Sequence, residues 1–186
     1  MARTRILLDS NSYFRLANSI HPLLDTEFGD KNYCLYVLKD LEKEYDRSPR
    51  LQTKFHWVNE DKYFENRKRK LTVSRKDKKA IDRTVEFLEE HKYNNCLGVS
   101  SVDIKNLAHG HVLDIPVVTD DKDMIELAKA FAIETMSSLK LLTLMVKSGH
   151  ISKKKVRDII TYWKYNKDTP GNYRKEYKKL FKGNAP

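Results

Sequence analysis

The chain has 186 residues, 40% of them hydrophobic, which suits one globular domain with a hydrophobic core. No apolar run reaches the roughly 18 residues of a membrane-spanning helix and no signal peptide is recognisable, so we expect a cytoplasmic protein with no membrane partner. The 36 Lys and Arg outnumber the 26 Asp and Glu, and the net charge of +10 favours a polyanionic partner, because cations that neutralise phosphates release counterions.

The first half of the chain predicts two strands, each followed by a helix. The apolar run from Arg5 to Leu8 stops at Asp9 and predicts a buried strand. Capping residues and apolar residues at helical spacing then predict a helix that starts near Ser12. Residues 33–38 predict a second strand, which leads directly into the helical sequence VLKDLEKEY.

The second half repeats this alternation. The predicted elements are a helix over 80–90, a strand at Cys96–Val99, a helix in SSVDIKNLAHGHV ending near Gly110, a strand at IPVV, a helix in DMIELAKAFA and a strand at Ile133–Met136. Alternating strands and helices predict an α/β fold with a mainly parallel sheet, helices on both faces and right-handed crossovers. Cys34 and Cys96 lie in apolar segments, so we expect buried free thiols rather than a disulfide or a zinc site.

Two basic segments interrupt the alternation. Residues 46–79 form a polar insert in which Lys62–Lys79 holds nine basic and two acidic residues, and Ser152–Lys182 holds eleven basic and three acidic. The candidate nucleic-acid-binding residues of the insert are Arg67, Lys68, Arg69, Lys70 and Lys76.

Aromatic residues are interleaved with these charges. They are Phe55, Trp57, Tyr63 and Phe64 in the insert, and Tyr162, Trp163 and Tyr165 in the C-terminal segment. They could stack on the bases of a single strand, or they could pack added helices onto the core, and the sequence leaves both alternatives open.

Acidic residues recur where predicted strands end. Asp9 follows RILL, Asp40 follows YVL, Asp103 follows LGV, and Asp121 and Asp123 follow IPVV. The carboxyl ends of parallel strands share one edge of a sheet, so these side chains are expected to converge. Clustered carboxylates repel one another unless a cation neutralises them, and hard oxygen ligands suit Mg²⁺ or Mn²⁺.

Helix capping is the competing explanation for these acids. Asp9 could cap the helix that follows it, and Ser100-x-x-Asp103 matches a capping box. Capping does not explain the repetition at successive strands or the crowding in TDDKD, where one acid would be enough. No Gly-x-Gly-x-x-Gly, Walker or nucleophile-elbow sequence is present, so dinucleotide binding, P-loop chemistry and hydrolase triads are unsupported.

Four segments together resemble a PIN domain, the metal-dependent nuclease family that includes VapC-type toxins. The matching segments are RILLDSNSYFRL, VLKDLEKE, VSSVDIKNLAHGHVLDIPVVTDDKDM and AIETMSSLKLLTLMVKSGHI. The resemblance covers roughly residues 4–150. It implies a three-layer α/β/α nuclease domain over residues 1–150, including the insert at about 46–79, with residues 151–186 as a basic helical extension packed on that domain.

The resemblance also implies roles for individual residues. The catalytic set it implies is Asp9, Asp40, Asp103, Asp121 and Thr119, and its metal ligands are Asp9, Asp103, Asp121 and Asp123. The family usually has Glu at the second position, so Asp40 is a departure, and Glu44 one helical turn later is the alternative. Asp120 is expected to point outward.

The implied activity is hydrolysis of RNA phosphodiester bonds assisted by Mg²⁺ or Mn²⁺. One version is a toxin whose partners are an antitoxin protein and a second copy of the chain, as a homodimer. Two other interpretations stay open: a catalytically degenerate PIN-like module that binds RNA or protein, and a structure-selective DNA nuclease.

Overall fold

The structure, a computed structural model, describes residues 3–186. Its strands are β1 (Thr4–Leu8), β2 (Tyr33–Tyr36), β3 (Val117–Val118) and β4 (Thr135–Met136). Its α-helices, within residues 3–186, are α1 (Ser10–Leu16), α2 (Asp40–Asp46), α3 (Pro49–Lys54), α4 (Asp61–Arg67), α5 (Arg75–Asn94), α6 (Ser101–Leu113), α7 (Lys122–Ala130), α8 (Ser138–Lys147), α9 (Lys153–Tyr165) and α10 (Tyr173–Phe181). A 3₁₀ turn occupies His56–Asn59. None of the helices in these residues is long and apolar enough to cross a bilayer.

The four strands form one sheet in the order β2-β1-β3-β4, and every neighbouring pair is parallel. Leu7 of β1 is in register with Tyr36 on one side and with Val117 on the other. The predicted α/β fold with a parallel sheet is therefore confirmed. β3 and β4 have only two residues each, so the sheet is widest at the carboxyl end of β1.

Helices cover both faces of this sheet, as in a three-layer α/β/α arrangement. Side chains alternate along β1: Ile6 and Leu8 pack into the core beneath α1, α8 and α9, whereas Leu7 packs into the core beneath α5, α6 and α7. Because strands buried on both faces have no solvated side, they appear in the sequence as continuous apolar runs.

The predicted strand at Cys96–Val99 is wrong. This segment is the connection between α5 and α6, two helices that pack closely against each other. Cys96 has a left-handed backbone with φ of 52°, and the Leu97 amide donates back to the carbonyl of Lys92, which closes the end of α5. Val99 is buried on the α6 side, so the apolar run packs as a loop. Cys96 is exposed, contrary to expectation, while Cys34 is buried; both are free thiols.

Most aromatic residues of the insert belong to the core. Phe55, Trp57 and Tyr63 are buried, and the ring of Phe55 stacks on that of Phe14 from α1 with centroids 4.9 Å apart. Packing is therefore the role of these three residues. Phe64 differs, because 47% of its surface is exposed.

The C-terminal helices also pack through their aromatic residues. Trp163 of α9 is buried, and its indole Nε1 donates to the carbonyl oxygen of Arg15 over 2.9 Å. Tyr177 of α10 is buried where α10 lies against α8. Tyr165 is exposed. The basic residues of this segment consequently lie on the outer surfaces of helices that are anchored by apolar stripes.

Gly110 allows α6 to lie directly on β3, and this contact is testable. A Cβ atom at Gly110 would lie 2.5 Å from Cγ2 of Val117 and 3.2 Å from the carbonyl oxygen of Ile115. We expect Gly110→Ala to lower the free energy of unfolding by about 1–3 kcal/mol, because the packed core cannot absorb the methyl group. Urea denaturation measures the change. Gly171→Ala is the matched control, since nothing lies within 4 Å of its added Cβ; equal losses in both variants would contradict the expectation.

Candidate active site

Asp9 ends β1 and lies at the centre of the candidate site. Its side chain is only 1% exposed, and its carboxylate accepts a 2.6 Å hydrogen bond from the Ser12 amide, which caps α1. Burial raises the pKa of Asp9 to about 6, and the nearby Thr119 and Ser12 hydroxyls, together with the Ser12 amide, oppose that rise. Asp9 is therefore both a helix cap and a poorly solvated carboxylate.

Thr119 connects Asp9 with Asp121. Thr119 follows β3 and is fully buried, and its hydroxyl accepts a 3.1 Å hydrogen bond from the amide of Asp121. Asp121 caps α7 by accepting a 2.8 Å hydrogen bond from the Met124 amide, and it is exposed at the surface. The sheet thus brings residues more than a hundred positions apart into one site.

Asp103 lies in the capping box that the sequence indicated, but it follows the connection between α5 and α6, so its expected position after a strand is wrong. Its amide donates to the Ser100 hydroxyl oxygen over 3.1 Å, and its carboxylate accepts from the Ser100 amide and hydroxyl over 3.3 and 2.7 Å. Burial raises the pKa of Asp103, the Ser100 hydrogen bonds oppose the rise, and the charge of Asp121 adds to it. Asp103 is also one of the charges that raise the pKa of Asp9.

The two candidates for the second acid have different surroundings. Asp40 accepts a 2.7 Å hydrogen bond from the ammonium group of Lys105. Glu44 is half-buried; burial raises its pKa, the nearby Ser10 hydroxyl opposes the rise, and the charge of Asp103 adds to it. The structure therefore brings Glu44 within electrostatic reach of Asp103 and pairs Asp40 with a cation. We call Asp9, Glu44, Asp103 and Asp121, with Thr119, the acidic edge.

The remaining two aspartates of TDDKD make structural contacts. Asp123 accepts a 2.7 Å hydrogen bond from the Gly98 amide, and a Cβ atom at Gly98 would lie 2.8 Å from the same carboxylate oxygen. This contact ties α7 to the connection before α6. One oxygen of Asp123, a predicted metal ligand, is thus already used.

Asp120 points inward, so the expected outward orientation is wrong. Its carboxylate accepts hydrogen bonds from Arg15 over 2.9 Å and from the amide and hydroxyl of Ser138 over 3.1 and 2.6 Å. These contacts join α1, the turn after β3 and the start of α8. No local pattern in the sequence indicates this ion pair, because Arg15 is 105 residues away from Asp120.

Two buried polar atoms near the acidic edge have no hydrogen-bond partner in residues 3–186. They are the hydroxyl oxygen of Ser10 and Oε2 of Glu44, which lie near each other but not in hydrogen-bond geometry. Ser10 is not among the predicted site residues; its position directly after the strand-end Asp9 is the signal that could have indicated it. Unpartnered buried oxygens are uncommon, and each needs an explanation.

The chemistry of this donor set fits a hard divalent cation. The oxygens are carboxylate and hydroxyl groups. The charge of Asp103 raises the pKa of Asp9 and of Glu44, and the charge of Asp121 raises that of Asp103, so a bound cation would relieve this repulsion. In the part of the chain that the structure describes, no three acidic, His or Cys side chains are already arranged as a metal-binding group.

A basic cavity adjoins the acidic edge. This α2–α6 cavity has a volume of about 360 Å³. Its charged lining residues are Asp40, Lys43, Glu44, Arg47 and Lys105. Glu44 therefore belongs both to the acidic edge and to a cavity in which cations outnumber acids, an arrangement that can hold a phosphate beside the carboxylates.

The predicted nucleic-acid-binding residues have different surroundings. Arg67 is 7% exposed, and its guanidinium donates to the Tyr13 hydroxyl over 3.0 Å and to the Val58 carbonyl over 2.8 Å. The other four are exposed: Lys68 pairs with Glu65, Arg69 pairs with Asp25, Lys70 lies beside Lys39, and Lys76 lies on α5. Four of the five are therefore accessible at the surface.

No protein-family model matches the chain, and no curated protein sequence is significantly similar to it.

Replacing Asp9 by Asn tests whether the buried negative charge of Asp9 lowers the free energy of unfolding. Asn keeps the oxygen that caps α1 but removes the buried charge. The pKa of Asp9 is raised in the fold from 3.8 to about 6, so ionisation destabilises the fold as the pH rises through this range. We expect Asp9→Asn to raise the free energy of unfolding, in EDTA at neutral pH, by on the order of 1–3 kcal/mol, and the gain to disappear near pH 4.

Urea denaturation at both pH values measures this effect, and Asp120→Asn is the control. Asp120 has Arg15 and Ser138 as partners, so removing its charge is expected to lower the free energy of unfolding by about 1–3 kcal/mol. If both substitutions raised the free energy of unfolding, the loss of any negative charge would stabilise the protein. The burial of Asp9 would then not be the reason for its effect.

Proposed function

We propose that the chain is a metal-dependent endoribonuclease with a PIN-like fold, which hydrolyses phosphodiester bonds of RNA in the cytoplasm. The observation that carries the proposal is that the pairing of β1 with β3 brings Asp9, Thr119 and Asp121 together, with Asp103 and Glu44 within electrostatic reach. These residues come from four separate segments of the chain. Capping explains three of the carboxylates singly, but it does not explain why they converge with Glu44.

Asp9, Glu44, Asp103 and Asp121 would hold Mg²⁺ or Mn²⁺. The bound ion would supply Lewis-acid chemistry, namely a more acidic water and neutralisation of the charge that develops on the phosphate. Thr119 positions the acids, because its side chain contacts Asp9 and accepts from the Asp121 amide. The carboxylates hold charge and orient groups; none of them needs to attack the phosphorus.

The α2–α6 cavity supports a polyanionic substrate. Lys43, Arg47 and Lys105 lie beside Glu44 there, so a strand could place one phosphate at the acidic edge and a neighbouring phosphate among these cations. The net charge of +10 would assist association over longer range. The preference for RNA over DNA, a role as a toxin with an antitoxin partner, and a homodimer rest on the resemblance to PIN domains.

Cleavage assays test the proposal directly. Purified protein is incubated with labelled mixed-sequence RNA or single-stranded DNA, with Mg²⁺ or Mn²⁺ or with EDTA. We expect RNA cleavage that EDTA abolishes and that Asp121→Asn lowers by about 100-fold or more, because a ligand is worth at least as much as an outer-sphere partner. Asp46→Asn, an exposed acid on α2, is the control and should cleave normally. An inert wild-type protein that still binds RNA would favour the degenerate binding module, and equal cleavage of DNA would favour a general nuclease.

A second assay identifies the second acid. Glu44→Gln is expected to lower metal-dependent cleavage by about 100-fold, whereas Asp40→Asn should stay within about tenfold of wild type, because Asp40 is paired with Lys105. The two residues lie one turn apart on the same helix. The reverse ranking would assign the second position to Asp40.

A further inference from the structure

A second basic cavity lies on the other side of α2, between the end of β2 and α4. This α2–α4 cavity has a volume of about 230 Å³, and Val37 and Leu38, which directly follow β2, contribute its apolar part. The other lining residues are Lys39, Glu42, Phe64, Arg67, Lys68 and Lys70. Four cations therefore face one acid in a small space.

Two of these cations are held next to each other. Lys39 and Lys70 both line the cavity, and the proximity of Lys39 lowers the pKa of Lys70. Neither lysine forms an ion pair with an acid among residues 3–186. The nearby charge of Glu42 offsets their repulsion only in part, since the pKa of Lys70 is still lowered, and an anion bound between the two lysines would remove the rest.

A buried guanidinium adds to the positive charge. Arg67 uses its Nη1 for the Tyr13 hydroxyl and the Val58 carbonyl, but its buried Nε has no hydrogen-bond partner in the described chain. The carboxylate of Glu42 is 3.9 Å from Nε and half exposed, so it compensates this charge weakly. Arg67 thus supplies a fixed positive charge in the wall of the cavity.

Phe64 gives the cavity an aromatic surface. It is 47% exposed, whereas Phe55, Trp57 and Tyr63 of the same insert are buried in the core. The ammonium group of Lys68 lies 5.2 Å from the centroid of the Phe64 ring. An exposed aromatic ring beside several cations combines the two features that bind a nucleotide: a stacking platform and a phosphate-binding charge cluster.

We propose that the α2–α4 cavity is a nucleotide subsite for single-stranded RNA, in which Lys39 and Lys70 bind a phosphate, Arg67 adds charge and Phe64 stacks on the base. The inference rests on the proposed function, since it identifies where the same substrate strand continues. Helix α2 carries Glu44 of the acidic edge and Glu42 of this cavity, and its seven residues span roughly 10 Å. One strand can therefore contact both sites.

Binding without cleavage tests the subsite. Full-length Asp121→Asn protein in EDTA is titrated into a fluorescein-labelled single-stranded RNA and followed by fluorescence anisotropy. Phe64→Ala is expected to weaken binding by roughly 5- to 150-fold, the range for loss of one stacked base. Lys39→Ala combined with Lys70→Ala should lower the slope of log Kd against log salt by about 0.7 for each phosphate that these lysines no longer neutralise.

Matched controls separate the cavity from the general charge and surface of the protein. Phe87→Ala removes another exposed ring, 61% exposed on α5, and Lys178→Ala with Lys179→Ala removes two exposed cations of α10. These variants should leave affinity within about twofold of the parent. Comparable losses in the controls and the cavity variants would overturn the proposal.

Competitors identify the ligand class. The unlabelled RNA should displace the probe, while a nucleoside monophosphate and a phosphopeptide should require far higher concentrations. Displacement by either of these as readily as by RNA would overturn the strand subsite in favour of a free nucleotide or a phosphoprotein.

The subsite and the nuclease activity can fail separately. If the wild-type protein cleaved RNA and the Phe64 and Lys39/Lys70 variants bound RNA as tightly as their parent, the subsite proposal would be wrong and the proposed nuclease function would stand. If those variants lost binding and the wild-type protein cleaved no RNA under any metal condition, the subsite proposal would stand and the proposed nuclease function would be wrong.

Discussion

The parallel pairing of β1 with β3 is the constraint on which the site depends. Leu8 is in register with Val118, and the Asp9 amide donates to the Val118 carbonyl, so the next residues of the two strands, Asp9 and Thr119, meet at one edge. A parallel sheet places all its carboxyl ends on the same side, which is why acids that follow different strands can converge. This register positions Asp9 and Thr119, and through Thr119 the Asp121 amide, at the acidic edge.

The close approach of the acids at the acidic edge lowers the stability of the fold, and the contacts of two other aspartates offset this loss. Asp9, Glu44 and Asp103 are carboxylates whose ionised forms are disfavoured by burial. Asp120 and Asp123, in contrast, have well-placed donors, and they tie α8 and the α5–α6 connection to the turn that carries Asp121. These hydrogen bonds fix the backbone elements that carry the acids, so the acids stay close together although they repel one another. Strain of this kind is typical of sites prepared for a ligand.

Charge is divided around the short helix α2. Glu44 faces the acids, Lys43 and Arg47 line the cavity toward α6, and Lys39 and Glu42 line the cavity toward α4. The net charge of +10 is therefore not spread evenly, because cations flank an acidic centre on two sides. A polyanion attracted by the outer cations would be drawn toward the carboxylates. The carboxylates would repel its phosphate unless a bound cation neutralised them.

Local patterns in the amino-acid sequence were enough to predict the parallel α/β fold, the positions of Asp9 after β1 and of Asp121 after β3, and the capping of α6 by Ser100 and Asp103. Each of these features follows from periodicity or from short-range hydrogen bonds. The same patterns could not separate a packed loop from a strand at Cys96–Val99, since a short apolar run is the same in both. Long-range packing alone fixes which acid of α2 faces Asp103, the inward turn of Asp120 toward Arg15, and the burial of Arg67 beside an exposed Phe64. Those outcomes depend on side chains far apart in the chain, and no local pattern encodes which distant partner a polar group will meet.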